Sequence, residues 1–182
     1  MSPLPSFPAR LYSTVETPAF LTERGFYLRH AQDKDLSGLR LMYADTRAEE
    51  MLPVPWPIEA KQNFLNQQFD LQHQHYLNHY ADAEFLVIEH GDVVQGRYYI
   101  LRTTPEHLII DICLMAKRRG LGIGRALIEH SQREAQALGR GMQLHVIKFN
   151  IRALALYKKL GFKICYRTDT HNYMNWRANA DA

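Results

Sequence analysis

The sequence predicts one domain of the mixed α/β class. Short apolar runs alternate with stretches of helical periodicity along most of the chain. The clearest unit is an apolar strand over residues 108–114, a glycine-rich turn, and a helix that ends near Gly139 before a second apolar strand over 142–147. A helical crossover joins these two strands, so we expect them to run parallel. The length of 182 residues allows one sizeable core.

The first part of the chain is predicted as an arm, a strand and two helices. Residues 1–22 are rich in Pro, Ser and Thr, which indicates an N-terminal Pro-rich arm, extended or loosely packed, ahead of a domain over residues 23–182. A short strand is predicted over 25–29. Asp33 is a candidate cap for the first helix. Pro57 fits the first turn of a second helix, which runs towards Tyr80.

The remaining elements complete the order β-α-α-β-β-β-α-β-α-β-β. Gly91, between two apolar runs, predicts a hairpin turn. Asn150 is placed to cap the last helix, and Gly161 to end it in the left-handed conformation. The predicted strands after the second helix cover residues 83–88, 93–101, 108–114, 142–147, 163–167 and 171–176, and the predicted helices cover residues 124–138 and 151–159.

The composition argues against several classes of partner and site. A formal net charge of +3 is too small to indicate a nucleic-acid partner. No apolar run approaches the roughly 20 residues that span a bilayer, and the first residues lack the pattern of a signal peptide. Cys113 and Cys165 do not suggest a disulfide framework, so we expect a reduced, cytoplasmic protein without a membrane partner. His75 and His79 stand one helical turn apart without a clear third ligand, so no metal site is expected.

The glycine-rich turn over residues 117–125 has the features of an anion site. Glycines let a ligand approach the backbone closely, and the free N–H groups at a helix start attract negative charge. Three basic residues precede the first glycine of the turn, and Arg125 follows the last one. A Walker loop would end in Gly-Lys-Ser/Thr, whereas Gly124 is followed by Arg and Ala. The dinucleotide fingerprint would place two residues between its last two glycines, whereas a single residue separates Gly122 from Gly124. A tight turn with solvated arginines is the non-functional alternative.

Two motifs in this order resemble those of the GNAT acyltransferase superfamily. The first is Arg119-x-x-Gly122-x-Gly124, which is similar to the family signature Gln/Arg-x-x-Gly-x-Gly/Ala. The second is Asn150-x-x-Ala153-x-x-x-Tyr157-x-x-x-Gly161-Phe162, which is similar to the second cofactor-binding segment of the family. One helix and one strand separate the motifs, and the resemblance runs from about residue 25 to residue 176.

The resemblance implies a fold, a co-substrate and a set of site residues. The fold is a twisted mixed β-sheet with helices on both faces, in which the strands from Leu108 and Met142 splay apart and admit the pantetheine arm of acetyl-CoA. A backbone N–H near Leu114 would serve the thioester carbonyl, Asn150 would contact the cofactor arm, and Tyr157 would protonate the departing sulfur. The backbone groups that would hold the pyrophosphate belong to Arg119, Gly120, Leu121, Gly122, Ile123 and Gly124, with Arg125 adding positive charge.

Several of these assignments have structural alternatives. Tyr157 shares a helical face with apolar residues and is also explained as a core aromatic, and Asn150 is also explained as a helix cap. Two residues compete as the base that deprotonates the amine. His145 lies in an apolar strand and points opposite to its neighbours, while Asp111 lies within another apolar strand, where pairing with an arginine is the alternative explanation.

The sequence therefore predicts an acetyl-CoA-dependent N-acetyltransferase that transfers the acetyl group directly to a primary amine. The acceptor, either a small amine or amino acid or a peptide amine, is left open, as is self-association into a homodimer. A covalent intermediate on Cys113 is disfavoured, because the family generally transfers directly and a small buried strand residue explains this cysteine. A non-catalytic acyl-CoA-binding module is the alternative. A basic nucleic-acid binder is weaker, since the cations surround a phosphate loop.

Overall fold

A computed structural model describes residues 4–9 and 15–178. Its helices are α1 (Ala19–Thr22), α2 (Leu36–Met51), α3 (Ile58–His79), α4 (Ile123–Ala137) and α5 (Ile151–Lys159), with short 3₁₀ turns at Asp33–Asp35 and Ala116–Arg118. Its strands are β1 (Phe26–His30), β2 (Glu84–His90), β3 (Val93–Leu101), β4 (Glu106–Leu114), β5 (Gly141–Ile147), β6 (Lys163–Arg167) and β7 (His171–Trp176). They form a seven-stranded mixed sheet in the order β1-β2-β3-β4-β5-β7-β6.

The predicted fold class is confirmed. Helices cover both faces of the sheet, α2 and α3 on one and α1, α4 and α5 on the other, and a separate apolar core lies beneath each set. β4 and β5 are parallel, as the crossover predicts, and every other neighbouring pair is antiparallel. No helix within the described residues is long and apolar enough to cross a membrane.

The structure differs from the sequence expectation at the start of β4. The strand begins at Glu106, two residues earlier than predicted, because Glu106 and His107 pair with Gly141 and Met142 of β5. His107 is fully buried although it is polar, so the apolar pattern that marks the rest of the strand does not reveal it.

The described parts of the predicted N-terminal arm pack against the domain, and their last four residues form α1 instead of an extended or loose segment. Phe7 lies in the core beneath α2 and α3, and its N–H donates to Asp33 Oδ1 at 2.9 Å. His73 Nε2 donates to the carbonyl oxygen of Pro5 at 2.8 Å. Asp33 therefore does not cap the first helix, and Asp35 instead accepts from the Gln32 N–H at 2.8 Å. Residues 1–3 and 10–14 of the predicted arm lie outside the described residues.

The parallel strands β4 and β5 part halfway along their length. They are paired from Glu106–Ile109 against Gly141–Leu144, and beyond Ile109 the register ends. A bulge adds Ile110 to β4, since Tyr99 and Ile100 of β3 face Asp111 and Ile109. The carboxyl-terminal halves of β4 and β5 are thus free of each other, and an extended ligand can pass between them.

Candidate functional site

The glycine-rich turn between β4 and α4 exposes backbone donors. Gly120 and Gly122 have φ angles of +80° and +83°, which L side chains rarely adopt. Gly122 caps α4 without a side chain, so the N–H groups of the first helical turn stay open. Together with the helix dipole, these groups could hold an anion, as the sequence predicts.

Side chains hold this turn against the body of the protein. Asp45 Oδ2 of α2 accepts from the Ala116 N–H at 3.0 Å and lies 3.5 Å from the Arg119 guanidinium. Arg119 also donates from Nε to the carbonyl oxygen of Leu114 at 3.0 Å. The Arg119 side chain is therefore directed into the protein, and it braces the turn against the end of β4. Arg125 pairs with Glu129 on the surface of α4 at 2.8 Å.

Two residues that the sequence did not single out flank the turn. A Cβ atom on Gly122 would lie 3.1 Å from Cζ of Phe20, and a Cβ atom on Gly120 would lie 3.1 Å from a guanidinium nitrogen of Arg152. Arg152 is detectable in principle, because it stands in the first turn of α5 just after the motif residue Asn150. Phe20 comes from α1, about one hundred residues away in sequence, and no local pattern points to it.

The second motif lies beside the parted strands. Asn150 Oδ1 accepts from the Ala153 N–H at 3.1 Å, so Asn150 does cap α5, and its amide NH₂ group remains for another partner. Tyr157 is only 6% exposed, and its ring packs edge-on against Phe162. Burial, followed by the nearby charge of Asp111, raises the pKa of Tyr157, and no hydrogen bond contributes to this shift. The hydroxyl therefore stays protonated and can donate a proton.

His145 lies on the opposite face of the sheet from Tyr157. Its neighbours Leu144 and Val146 are in the core beneath α4, whereas the His145 ring is exposed and contacts the ring of Tyr173 at 4.0 Å between centroids. Partial burial and the nearby charge of His171 lower the pKa of His145. The imidazole is therefore neutral at neutral pH and can accept a proton.

Asp111, the rival base, is engaged in an ion pair. Its Oδ2 lies 2.6 Å from a guanidinium nitrogen of Arg97 and accepts from the Tyr76 hydroxyl at 3.2 Å. The Arg97 side chain is 5% exposed and also donates to Gln72 at 2.6 Å. Both contacts use the same carboxylate oxygen, so Asp111 already serves as the counter-ion of a buried guanidinium. The structure therefore contains the arginine pair that the sequence offers as the alternative explanation of Asp111.

Cys113 and the histidine pair of α3 are the remaining residues that the sequence raises as candidates for chemistry. Burial raises the pKa of the Cys113 thiol to about 11, so a reactive thiolate is scarce. The His75 and His79 rings lie 4.1 Å apart, but no group of three metal-ligating side chains occurs among residues 4–9 and 15–178.

A protein-family model and solved structures match most of this chain. Residues 40–162 match the model of the Acetyltransferase (GNAT) family. The PaiA N-acetyltransferase of Thermoplasma acidophilum, solved in complex with coenzyme A, superposes with a TM-score of 0.65 at 14% identity, over 84% of this chain and 99% of that one. At this identity, the likeness establishes a shared fold.

Two curated proteins resemble parts of the chain in sequence. The 5-NmdU N-acetyltransferase of Pseudomonas phage PaMx11 is 36% identical over 80 residues, which are 43% of this chain and 56% of that protein. The peptidyl-lysine N-acetyltransferase YjaB of Salmonella typhimurium is 41% identical over 51 residues, which are 28% of this chain and 32% of that protein. The chain thus aligns with no more than 56% of either relative.

The ion pair between Arg97 and Asp111 leads to a stability prediction. Asp111→Asn leaves the buried Arg97 charge without its counter-ion, and we expect a loss of about 3 kcal/mol in the free energy of unfolding. Arg97→Met combined with Asp111→Asn removes both charges and should cost clearly less than the sum of the two single changes. Urea denaturation of the three variants measures this. Additive losses would show that the two charges do not depend on each other.

Proposed function

Since the chain belongs to the GNAT acetyltransferase family, we propose that it is an N-acetyltransferase that moves the acetyl group of acetyl-CoA directly to a primary amine. The observation that carries this proposal is the juxtaposition of an open, glycine-rich helix start with two parted parallel strands. The helix start suits the pyrophosphate of acetyl-CoA, and the gap between the strands suits its pantetheine arm. A ligand bound at both places would have its thioester beside β4 and β5. The free thiols Cys113 and Cys165 are compatible with a reducing, cytoplasmic setting.

The backbone N–H groups of residues 120–124 would bind the pyrophosphate oxygens. Gly120 and Gly122 keep the approach clear, and the guanidinium of Arg152 lies close enough to add positive charge. Arg119 would act by bracing the turn, since its side chain is occupied by Leu114 and Asp45 and its N–H donates to the carbonyl oxygen of Ala116 at 3.2 Å. Leu121, Ile123 and Gly124 contribute backbone N–H groups, and Arg125 adds to the positive field from the surface. The Asn150 amide would donate to the pantetheine arm.

The proposed chemical step is an attack of the amine nitrogen on the thioester carbonyl carbon. The carbonyl oxygen becomes an oxyanion, which a backbone N–H near Leu114 would stabilise. When the C–N bond is complete, the C–S bond breaks, and the coenzyme thiolate takes the proton of Tyr157. The amine nitrogen loses its proton to a base. The products are the amide and free coenzyme A.

His145 is the better candidate for this base. It is exposed, its pKa is lowered, and it stands one residue beyond the last paired position of β5, where the strands part. Asp111 stands beyond the bulge of β4, but Arg97 and Tyr76 occupy its Oδ2. Proton transfer from the amine to His145 could be direct or pass through a water molecule.

The acceptor is a primary amine of a small molecule or of a peptide. The two curated relatives are named for different acceptors, 5-NmdU in one and peptidyl lysine in the other, so family membership does not select between them. A non-catalytic acyl-CoA-binding module would bind acetyl-CoA without transferring its acetyl group, so no free thiol of coenzyme A would form. Thiol detection of free coenzyme A, in the presence of a panel of amines, distinguishes the two functions.

Coenzyme binding is expected to depend on Gly122. Gly122→Val adds a branched side chain at a positive φ, against Phe20 and in the path of the ligand, and should weaken coenzyme A binding by roughly tenfold or more in calorimetry. Gly139→Val imposes the same backbone strain at the far end of α4, where nothing lies within 4 Å, and should leave the affinity unchanged. Gly124→Ala, where the added carbon meets Ile112 at an ordinary 3.5 Å, should also bind normally. Equal affinity in wild type and Gly122→Val would refute the assignment.

Tyr157→Phe tests the proposed proton donor. The change keeps the buried ring and its packing against Phe162, so the fold should be retained, while turnover should fall roughly 10²-fold, as is typical for the loss of an acid catalyst. Single-turnover kinetics with saturating acetyl-CoA measures this step. A variant with full activity would assign Tyr157 to packing alone.

The pH profile tests His145. A neutral imidazole is the active form, so kcat/KM should fall as the pH drops through the pKa of His145, which lies below its ordinary value of 6.5 because of partial burial and His171. His145→Gln should remove this acid limb together with much of the rate. If His145→Gln keeps wild-type turnover while folded Asp111→Asn loses it, Asp111 is the base. If neither change matters, an ordered water removes the proton and the protein contributes mainly positioning.

A further inference from the structure

Three aromatic side chains form a continuous row on one face of the sheet. His145 of β5 pairs with Tyr173 of β7, and Tyr173 pairs with Tyr166 of β6. The His145 and Tyr173 ring centroids lie 4.0 Å apart, and the Tyr173 and Tyr166 centroids lie 5.5 Å apart. We call these three residues the aromatic row.

No helix among the described residues packs over the aromatic row. The alternating partners Leu144 and Met174 point into the core beneath α4 and α5, so the row faces the other side of the sheet. On that side, the core beneath α2 and α3 includes no residue of β5, β6 or β7. Tyr166 is accordingly 62% exposed. Exposed aromatic rings on a sheet are characteristic of surfaces that stack planar ligands.

The row begins at the place where the strands part. His145 follows Leu144, the last residue of β5 that pairs with β4, and Asp111 lies just past the corresponding residue, Ile109, and the bulge of β4. Asp111 binds both Arg97 and Tyr76 through Oδ2, which leaves Oδ1 available to a cationic amine. The reactive end of the acceptor and the aromatic row are therefore adjacent.

We propose that the aromatic row binds the acceptor, and that this acceptor is a primary amine joined by a short carbon linker to an aromatic or heteroaromatic ring. This inference rests on the proposed acetyl transfer. The ring would lie on Tyr173 and Tyr166, and the amine would extend past His145 towards the thioester. A linker of one or two carbon atoms suits this arrangement, because neighbouring strands are only about 4.8 Å apart.

A small planar acceptor explains the surface better than a second copy of the chain does. One end of the aromatic row lies where the amine would react, and a new acceptor must enter this position in every turnover. A protein partner bound over Tyr173 would block that entry. The carboxylate oxygen of Asp111 complements an ammonium group at the same end. The opposite end of the row, Tyr166, is open, so a ring that carries a larger substituent can extend beyond the sheet.

Benzylamine and cyclohexylmethylamine provide a matched pair of probes. They share the linker, the amine and the number of carbon atoms, and they differ in the planarity of the ring. We expect kcat/KM, calculated on the free-base concentration of each amine, to favour benzylamine by about tenfold in the wild type. Tyr173→Leu keeps apolar area but removes the stacking face, and it should bring this ratio close to one. The ratio compares two amines in the same variant. An effect of the substitution on His145 would therefore change kcat/KM for both amines alike and leave the ratio unaffected.

Two further variants complete the test. Tyr166→Leu changes a residue that is separated from His145 by Tyr173, and it should reduce the ratio partly. Tyr27→Leu removes an exposed tyrosine from β1, at the other edge of the sheet, and should leave the ratio unchanged. A wild-type ratio near one, or a ratio that Tyr173→Leu leaves intact, would overturn the inference. So would a loss of dimer in light scattering caused by Tyr173→Leu without a change in the ratio, which would assign the face to self-association. Failure to bind coenzyme A or to acetylate either amine would instead refute the proposed function.

Discussion

The parting of β4 and β5 is the constraint on which the candidate site depends. A parallel pair that stayed in register to its end would satisfy its own backbone groups and leave no opening. Here the register stops at Ile109 and Leu144, and the bulge at Ile110 redirects the carboxyl-terminal half of β4. The unpaired halves keep their order because each has another neighbour, β3 for β4 and β7 for β5. The sheet can therefore open locally without losing its continuity.

The ion pair between Arg97 and Asp111 supports the geometry of the opening. Arg97 of β3 and Tyr76 of α3 both reach the carboxylate on β4, so one side chain ties together the sheet and the helix layer at the bulge. Burying a guanidinium is unfavourable unless a counter-ion and further acceptors meet it, and Gln72 supplies one of these. The same arrangement occupies the Oδ2 atom of Asp111 with structural contacts. This structural use of Asp111 supports the proposal that His145, rather than Asp111, accepts the proton of the amine.

The sequence predicts those parts of the site that depend on local backbone geometry. The glycine turn and the cap at Asn150 are determined within a few residues, and both are present where the spacing places them. Contacts between distant segments are harder to predict. An arginine partner for Asp111 could be expected on physical grounds, but its identity depends on the register of β3 against β4. Phe20 reaches Gly122 from a segment whose composition indicates only an extended or loose arm, because burial of Leu21 in the core, rather than any local propensity, places α1 there. The aromatic row is likewise not apparent in sequence, since Tyr166 and Tyr173 become neighbours only through the bulge in β6.

The sheet also separates Tyr157 and His145, the proposed proton donor and the proposed base. Tyr157 belongs to the core on the α4 and α5 side, whereas His145 projects from the other face. Burial raises the pKa of Tyr157 and partial burial lowers the pKa of His145, so near neutral pH the first carries its proton and the second is free to receive one. If the two groups were in direct contact, a hydrogen bond between them would occupy both the donor and the acceptor. With β5 between them, each group can act on its own partner, the departing sulfur on one side and the incoming amine on the other. In the proposed mechanism, the thioester lies in the opening between β4 and β5, where groups from both faces of the sheet can reach it.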